Sequence, residues 1–93
     1  MEINKKIYEG NNLELKDTVE MMLSDDYKER FKAEFYQTQT RFLKLEEMVK
    51  KYKAGTLDFE PKSRLITLDE QLMYMYRYLR VLAGRAKREG IEL

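Results

Sequence analysis

The chain has 93 residues, 43% of them hydrophobic and 38% charged, with a formal net charge of +1 and a single proline. This composition is typical of one mostly helical globular domain and excludes a disordered tail or a two-domain protein. Because cysteine and histidine are both absent, disulfides, thiolate nucleophiles, histidine bases and Cys or His metal sites are excluded, and the lack of cysteine fits a reducing cytoplasm.

Charge and hydropathy also limit the partners. The nearly balanced charge lacks the basic excess of a DNA- or RNA-binding protein, so we expect no nucleic-acid partner. Any anion that binds should be small and held by a few placed cations. The longest run of hydrophobic residues is only five, from Leu72 to Tyr76, so we expect no membrane-spanning segment and no signal peptide. No motif predicts a metal or a cofactor.

The N-terminal part of the chain divides into two short segments. Residues 1–14 are polar and contain a turn signal at Glu9 to Asn12, which predicts a flexible N-terminal arm or a short extended piece. A short helix should follow, because Asp17 and Glu20 resemble a capping box. Its apolar side would consist of Leu15, Val19, Met22 and Leu23. Residues 15–93 are predicted to form a single domain.

The next predicted element is a long helix from about residue 26 to residue 54. Ser24 to Asp26 supply a cap and two carboxylates at its start, and Gly55 is a natural C-terminal stop. An apolar stripe at steps of three or four residues follows this helix: Tyr27, Phe31, Phe35, Thr38, Phe42, Leu45, Val49 and Tyr52. This spacing indicates one buried face.

A second long helix is predicted over residues 68–89, after a linker that contains Pro61. Thr67 and Glu70 have the spacing of a capping box, and Gly90 marks the end. Its apolar stripe is Leu68, Leu72, Met75, Leu79, Leu82 and Ala86. The two stripes predict an all-α fold, an antiparallel long helical hairpin preceded by a short helix. Because two helices leave apolar surface exposed, we expect a homo-oligomer to complete the core.

Aromatic and cationic side chains lie beside these stripes. Folding the second helix back along the first brings position 85 opposite roughly position 37, so Arg85, Arg41, Tyr36 and Tyr78 could meet near one end of the hairpin. Arginine pairs with phosphate oxygens and a tyrosine ring stacks on a base, which suits a nucleotide. The alternative is that the tyrosines and methionines form only an oligomer interface.

Three stretches resemble a family of small phage proteins related to a crAss-like phage protein. They are the run from Leu15 to Glu34, the spacing Gln71-x3-Met75-x2-Tyr78-x3-Leu82-x2-Arg85-Ala86, and the ending Glu89-Gly-Ile-Glu-Leu93. This family is similar to the helical hairpin domain shared by phage anti-CBASS sponges and some Thoeris anti-defence proteins. The resemblance covers roughly residues 15–93.

The resemblance implies a non-enzymatic sponge in the host bacterial cytoplasm. Such a protein is an oligomer, typically a hexamer, and it sequesters cyclic di- or trinucleotides of host immunity. It implies that Tyr27, with Phe31 or Tyr36 as alternatives, stacks on a base. Arg41, in preference to Lys32, would hold phosphate with help from Arg85. The chain departs from the family pattern at Thr38-Gln39, where close relatives have leucine and lysine, and in a linker that lacks a proline-cysteine-proline element.

Two other functions compete with the sponge. A protein-binding or virion-assembly module would use the same apolar helix faces to bind a partner helix. An all-helical hydrolase would need magnesium ligands, and its candidates are Glu34, Glu46, Glu47 and Glu70. Their spacing argues against the hydrolase, because adjacent carboxylates on a helix point to different sides.

Overall fold

The computed structural model describes residues 2–93, in which all regular secondary structure is helical. Within these residues four α-helices follow one another, and a 3-10 turn at Leu15–Thr18 precedes the second. They are α1 (Glu2–Tyr8), α2 (Val19–Met22), α3 (Tyr27–Ala54) and α4 (Leu65–Glu89). The long helices α3 and α4 pack together as the predicted antiparallel hairpin, and this fold class is confirmed.

Local chemistry sets both ends of α3 where the sequence predicts them. The Asp26 carboxylate accepts a hydrogen bond from the Lys28 backbone N–H at 2.9 Å, which pairs one of the free donors of the first turn. Gly55 has a φ of 74° and ends the helix in the left-handed region. The expected helix of residues 26–54 is therefore confirmed to within one residue.

Helix α4 begins three residues earlier than predicted. The Arg64 carbonyl already accepts from the backbone N–H groups of Thr67 and Leu68 at 3.0 and 3.1 Å, so the first turn starts at Leu65. Thr67 consequently lies inside the helix and is not its cap. The end is as predicted: Gly90 has a φ of 69°, and the next N–H, that of Ile91, bonds back to the Ala86 carbonyl at 2.9 Å.

The apolar stripes form the core of the hairpin. Phe35, Leu79 and Leu82 are almost completely buried between the two long helices, and they pack in one cluster with Phe31 and Phe42. Residues three and four apart on a helix share a face, so the stripe on each helix meets the stripe on the other. Self-association is expected because two helices leave apolar surface exposed, and it stays a prediction.

The N-terminal residues differ most from expectation. Residues 2–8 form helix α1 where the sequence predicts a flexible arm or a short extended piece, and Ile7 is fully buried. The Gln39 side-chain amide of α3 donates to the carbonyls of Lys6 and Ile7 at 2.9 and 2.8 Å, and its oxygen accepts from Asn11 Nδ2 at 2.7 Å. The polar composition hides this docking, because a single apolar side chain per turn is enough to bury one face of a short helix.

The segment between α1 and α3 lies against α3. The N-cap of this segment is Glu14 and not Asp17, three residues earlier than predicted. The Asp17 carboxylate accepts from the Glu14 backbone N–H at 2.9 Å. Thr18 is buried, and its hydroxyl accepts from Gln37 Nε2 of α3 at 2.7 Å.

Across residues 2–93, none of the helices has the length and apolar content that a bilayer crossing requires.

Candidate functional site

The start of α3 and the end of α4 meet at the end of the hairpin that is remote from the linker. Tyr27 is the first residue of α3 and Glu89 is the last residue of α4. The Tyr27 hydroxyl donates a hydrogen bond to Glu89 Oε1 at 3.3 Å. This contact joins residues far apart in sequence and defines one edge of the candidate site.

Arg85 lies one turn before Glu89 on α4 and faces the same carboxylate. Its Nε donates to Glu89 Oε2 at 2.7 Å and its Nη2 donates to Glu89 Oε1 at 3.3 Å. The guanidinium carbon also lies 4.9 Å from the centroid of the Phe31 ring, a cation–π contact with α3. The Arg85 guanidinium is therefore oriented from two sides, by the Glu89 carboxylate and by the Phe31 ring.

The charges of the site follow from these contacts. The hydrogen bond to Glu89 and the carboxylates of Glu89 and Glu34 raise the pKa of Arg85. The hydrogen bond from Arg85 lowers the pKa of Glu89 despite its partial desolvation. Desolvation, followed by the hydrogen bond to Glu89, raises the pKa of Tyr27. At neutral pH the site thus combines a guanidinium, a carboxylate and a neutral phenol that donates.

Accessibility separates the roles that these side chains can take. Tyr27 is 46% exposed and the Arg85 side chain is 45% exposed, so both can touch a ligand. Phe31 is only 5% exposed, which leaves its ring as a support for Arg85 and not as a stacking surface for a base. Tyr27, Phe31 and Arg85 are the sequence-predicted residues that the structure brings together.

Tyr36 lies elsewhere. It follows Tyr27 by nine positions on the same helix, which turns it by about half a circle to the other side of α3. Its ring packs edge-on against Phe35 with centroids 5.9 Å apart. It lines a separate cavity of about 350 Å³ with residues of the N-terminal segment, including Lys6 and Asn11.

Arg41 and Tyr78 are both exposed, and no described contact joins either of them to Arg85. The spacing argument places Arg85 opposite position 37, whereas its guanidinium lies over Phe31, six positions earlier on α3. The path of the linker sets how far α4 is shifted along α3, and residue spacing alone does not give that path. The expected convergence with Arg41 is therefore corrected.

Sequence reasoning missed Glu89 as a member of the site and treated it only as the end of the helix. The available signal was its i,i+4 spacing from Arg85, which brings the two side chains together on one helix face.

Within residues 2–93, no three acidic side chains gather in a group that could hold a metal ion, the carboxylates proposed for a hydrolase included.

Fold and site define a small helical protein in which an accessible arginine and tyrosine from opposite helices share one carboxylate. The model of the Sequestin family matches residues 25–88, more than half of the chain, and the protein belongs to the Sequestin family. The family's name indicates sequestration, a binding role and not a catalytic one. No curated protein and no solved structure matches the chain. The relationship to a crAss-like phage protein stays a prediction.

Proposed function

We propose that this protein is a phage anti-defence sponge that binds a cyclic di- or trinucleotide second messenger in the host bacterial cytoplasm and holds it without cleavage. The observation that carries the proposal is the placement of Arg85 and Tyr27. Both are accessible, both face one carboxylate, and they come from opposite helices of the hairpin. Membership of the Sequestin family supports the sequestering part of the proposal.

The side chains suit the parts of a cyclic nucleotide. The guanidinium of Arg85 can donate two parallel hydrogen bonds to the non-bridging oxygens of a phosphodiester, as it already does to a carboxylate. The exposed Tyr27 ring can stack on a base. Phe31 holds the guanidinium in place, which reduces the ordering that binding must otherwise impose.

The pocket is proposed to lie between subunits. A cyclic dinucleotide has two phosphates and two bases, whereas one hairpin offers this group of side chains once. Arg85 continues an exposed stripe of α4, at steps of three or four residues, that consists of Tyr74, Tyr78 and Val81. A second copy packed on this α4 stripe would lie next to Arg85 and could close the pocket, and the implied assembly is a homo-oligomer, typically a hexamer.

Calorimetric titration with a panel of cyclic di- and trinucleotides tests the proposal. We expect at least one cyclic nucleotide to bind, Arg85→Ala to abolish the binding, and Arg80→Ala, an exposed arginine on another side of α4, to leave it unchanged. The nucleotide recovered after denaturing the complex should be intact by chromatography, as sequestration requires. Wild-type protein that binds none of the panel would refute the sponge.

A protein-binding or virion-assembly module remains the second candidate, and the exposed α4 stripe favours it. Such a module predicts no thermal stabilisation by any nucleotide. A ligand at about 100 times its dissociation constant should instead stabilise the folded protein by roughly 2.7 kcal/mol. A thermal-shift screen with the same panel therefore separates the two functions.

A further inference from the structure

Glu89 occupies an unusual position for a carboxylate. It is the last residue of α4, where the partial negative charge of the helix end disfavours an acidic side chain. Its two partners are Arg85 and Tyr27, the same side chains that the proposed function assigns to the ligand.

The geometry around this carboxylate is that of a bound oxyanion. One oxygen accepts from Arg85 Nε at 2.7 Å, and the other accepts from Arg85 Nη2 and from the Tyr27 hydroxyl, both at 3.3 Å. A phosphodiester presents two non-bridging oxygens that can accept the same three hydrogen bonds. A ligand phosphate and the Glu89 carboxylate therefore cannot use these donors at the same time.

Glu89 has the freedom to leave. Its side chain is 29% exposed, and the following residue is Gly90 in the left-handed conformation that ends the helix. Rotation of the carboxylate into solvent breaks no contact of the apolar core, because its side-chain hydrogen bonds go to Arg85 and Tyr27. The contact of Arg85 with the Phe31 ring does not involve Glu89, so we expect it to persist after such a rotation.

We propose that Glu89 is an internal competitor that occupies the phosphate position between Arg85 and Tyr27 and must be displaced when a nucleotide binds. This inference rests on the proposed function and adds a residue that sets its affinity and selectivity. Glu89 keeps Arg85 paired in the free protein. Only an anion that binds the Arg85 guanidinium and the Tyr27 hydroxyl more strongly than this carboxylate does can replace it.

The direct test replaces the carboxylate by its neutral isostere. Glu89→Gln keeps the shape but weakens the hydrogen bonds to Arg85, because bonds to charged acceptors are about twice as strong as neutral ones. We expect Glu89→Gln to bind inorganic pyrophosphate and cyclic di-AMP about five- to tenfold more tightly than the wild type. Glu89→Ala, which removes the competitor altogether, should bind at least as tightly as Glu89→Gln.

Glu92→Gln is the matched control, since it removes the same charge from an exposed position three residues away. Its affinity for both probes should equal that of the wild type, which would show that the gain does not come from net charge. The ¹⁵N-edited NMR signal of Arg85 Nε–H reports the exchange of partner directly. It should shift on mutation of Glu89 and again when the phosphate probe is added.

The possible outcomes separate this inference from the proposed function. Tighter pyrophosphate binding by Glu89→Gln, with no cyclic nucleotide bound by any variant, would support the competitor and refute the sponge. Equal or weaker binding of a cyclic nucleotide by both folded Glu89 variants would refute the competitor and leave the sponge standing. Failure of every variant to bind pyrophosphate or any cyclic nucleotide of the panel would overturn both.

Discussion

The Tyr27 hydroxyl and the Glu89 carboxylate are 3.3 Å apart, and this hydrogen bond joins the first residue of α3 to the last residue of α4. It closes the end of the hairpin that has no covalent linker. The same carboxylate accepts from Arg85, so this contact holds an exposed aromatic ring beside the guanidinium in the candidate site.

The Tyr27 ring and its hydroxyl should contribute differently to nucleotide binding. Tyr27→Ala removes the stacking surface and should weaken binding by about 1–3 kcal/mol, whereas Tyr27→Phe keeps the ring and should lose at most about 1 kcal/mol. Calorimetry with the nucleotide that the wild type binds checks both values. Equal losses for the two variants would show that the ring does not stack on the ligand.

The exposed α4 stripe should control assembly and not the fold of the single chain. Val81 is 56% exposed, so Val81→Glu should reduce the oligomer mass measured by light scattering while the helical circular dichroism persists. The control is Arg80→Glu, which places a carboxylate one position away and about 100° around the helix. An unchanged mass for Val81→Glu, or equal effects of the two changes, would exclude this stripe as the interface.

The Gln39 side chain should hold helix α1 against α3. Gln39→Ala leaves the carbonyls of Lys6 and Ile7 without their side-chain partner, and the loss of these buried hydrogen bonds should lower the free energy of unfolding by about 1–3 kcal/mol. Urea unfolding measures this change. The exposed Gln71→Ala should have almost no effect. Hydrogen exchange in α1 should accelerate in Gln39→Ala. Unaltered exchange there would contradict the proposal that Gln39 holds α1 in place.

Stability should depend on pH through Glu89. The hydrogen bond from Arg85 lowers the pKa of Glu89 in the folded protein, so this contribution is fully present above the carboxyl's ordinary pKa and is lost as the pH falls through the lowered value. The wild type should therefore be more stable than Glu89→Gln at pH 7, and the difference should vanish in acid. A difference that is constant from neutral to acidic pH would rule out the ion pair as its source.

Gln39 shows how the identity of a residue and its role are determined at different levels. The resemblance stated from the sequence marks this position only as a departure, a glutamine where a lysine is expected. In the fold it is almost completely buried and holds the N-terminal segment. The sequence does not show that use, because it depends on a helix that packs from the other end of the chain.

Amino-acid sequence alone determined both ends of α3 and the end of α4, since they depend on adjacent groups such as Asp26, Gly55 and Gly90. It also determined the buried face of each long helix, which depends on spacing within one helix. Tertiary structure decided what these helices bring together. The shift of α4 along α3 places Arg85 over Phe31, away from Arg41, and it gives Glu89 its contact with Tyr27. Such contacts depend on the path of the linker and on packing between distant segments, which local patterns do not encode.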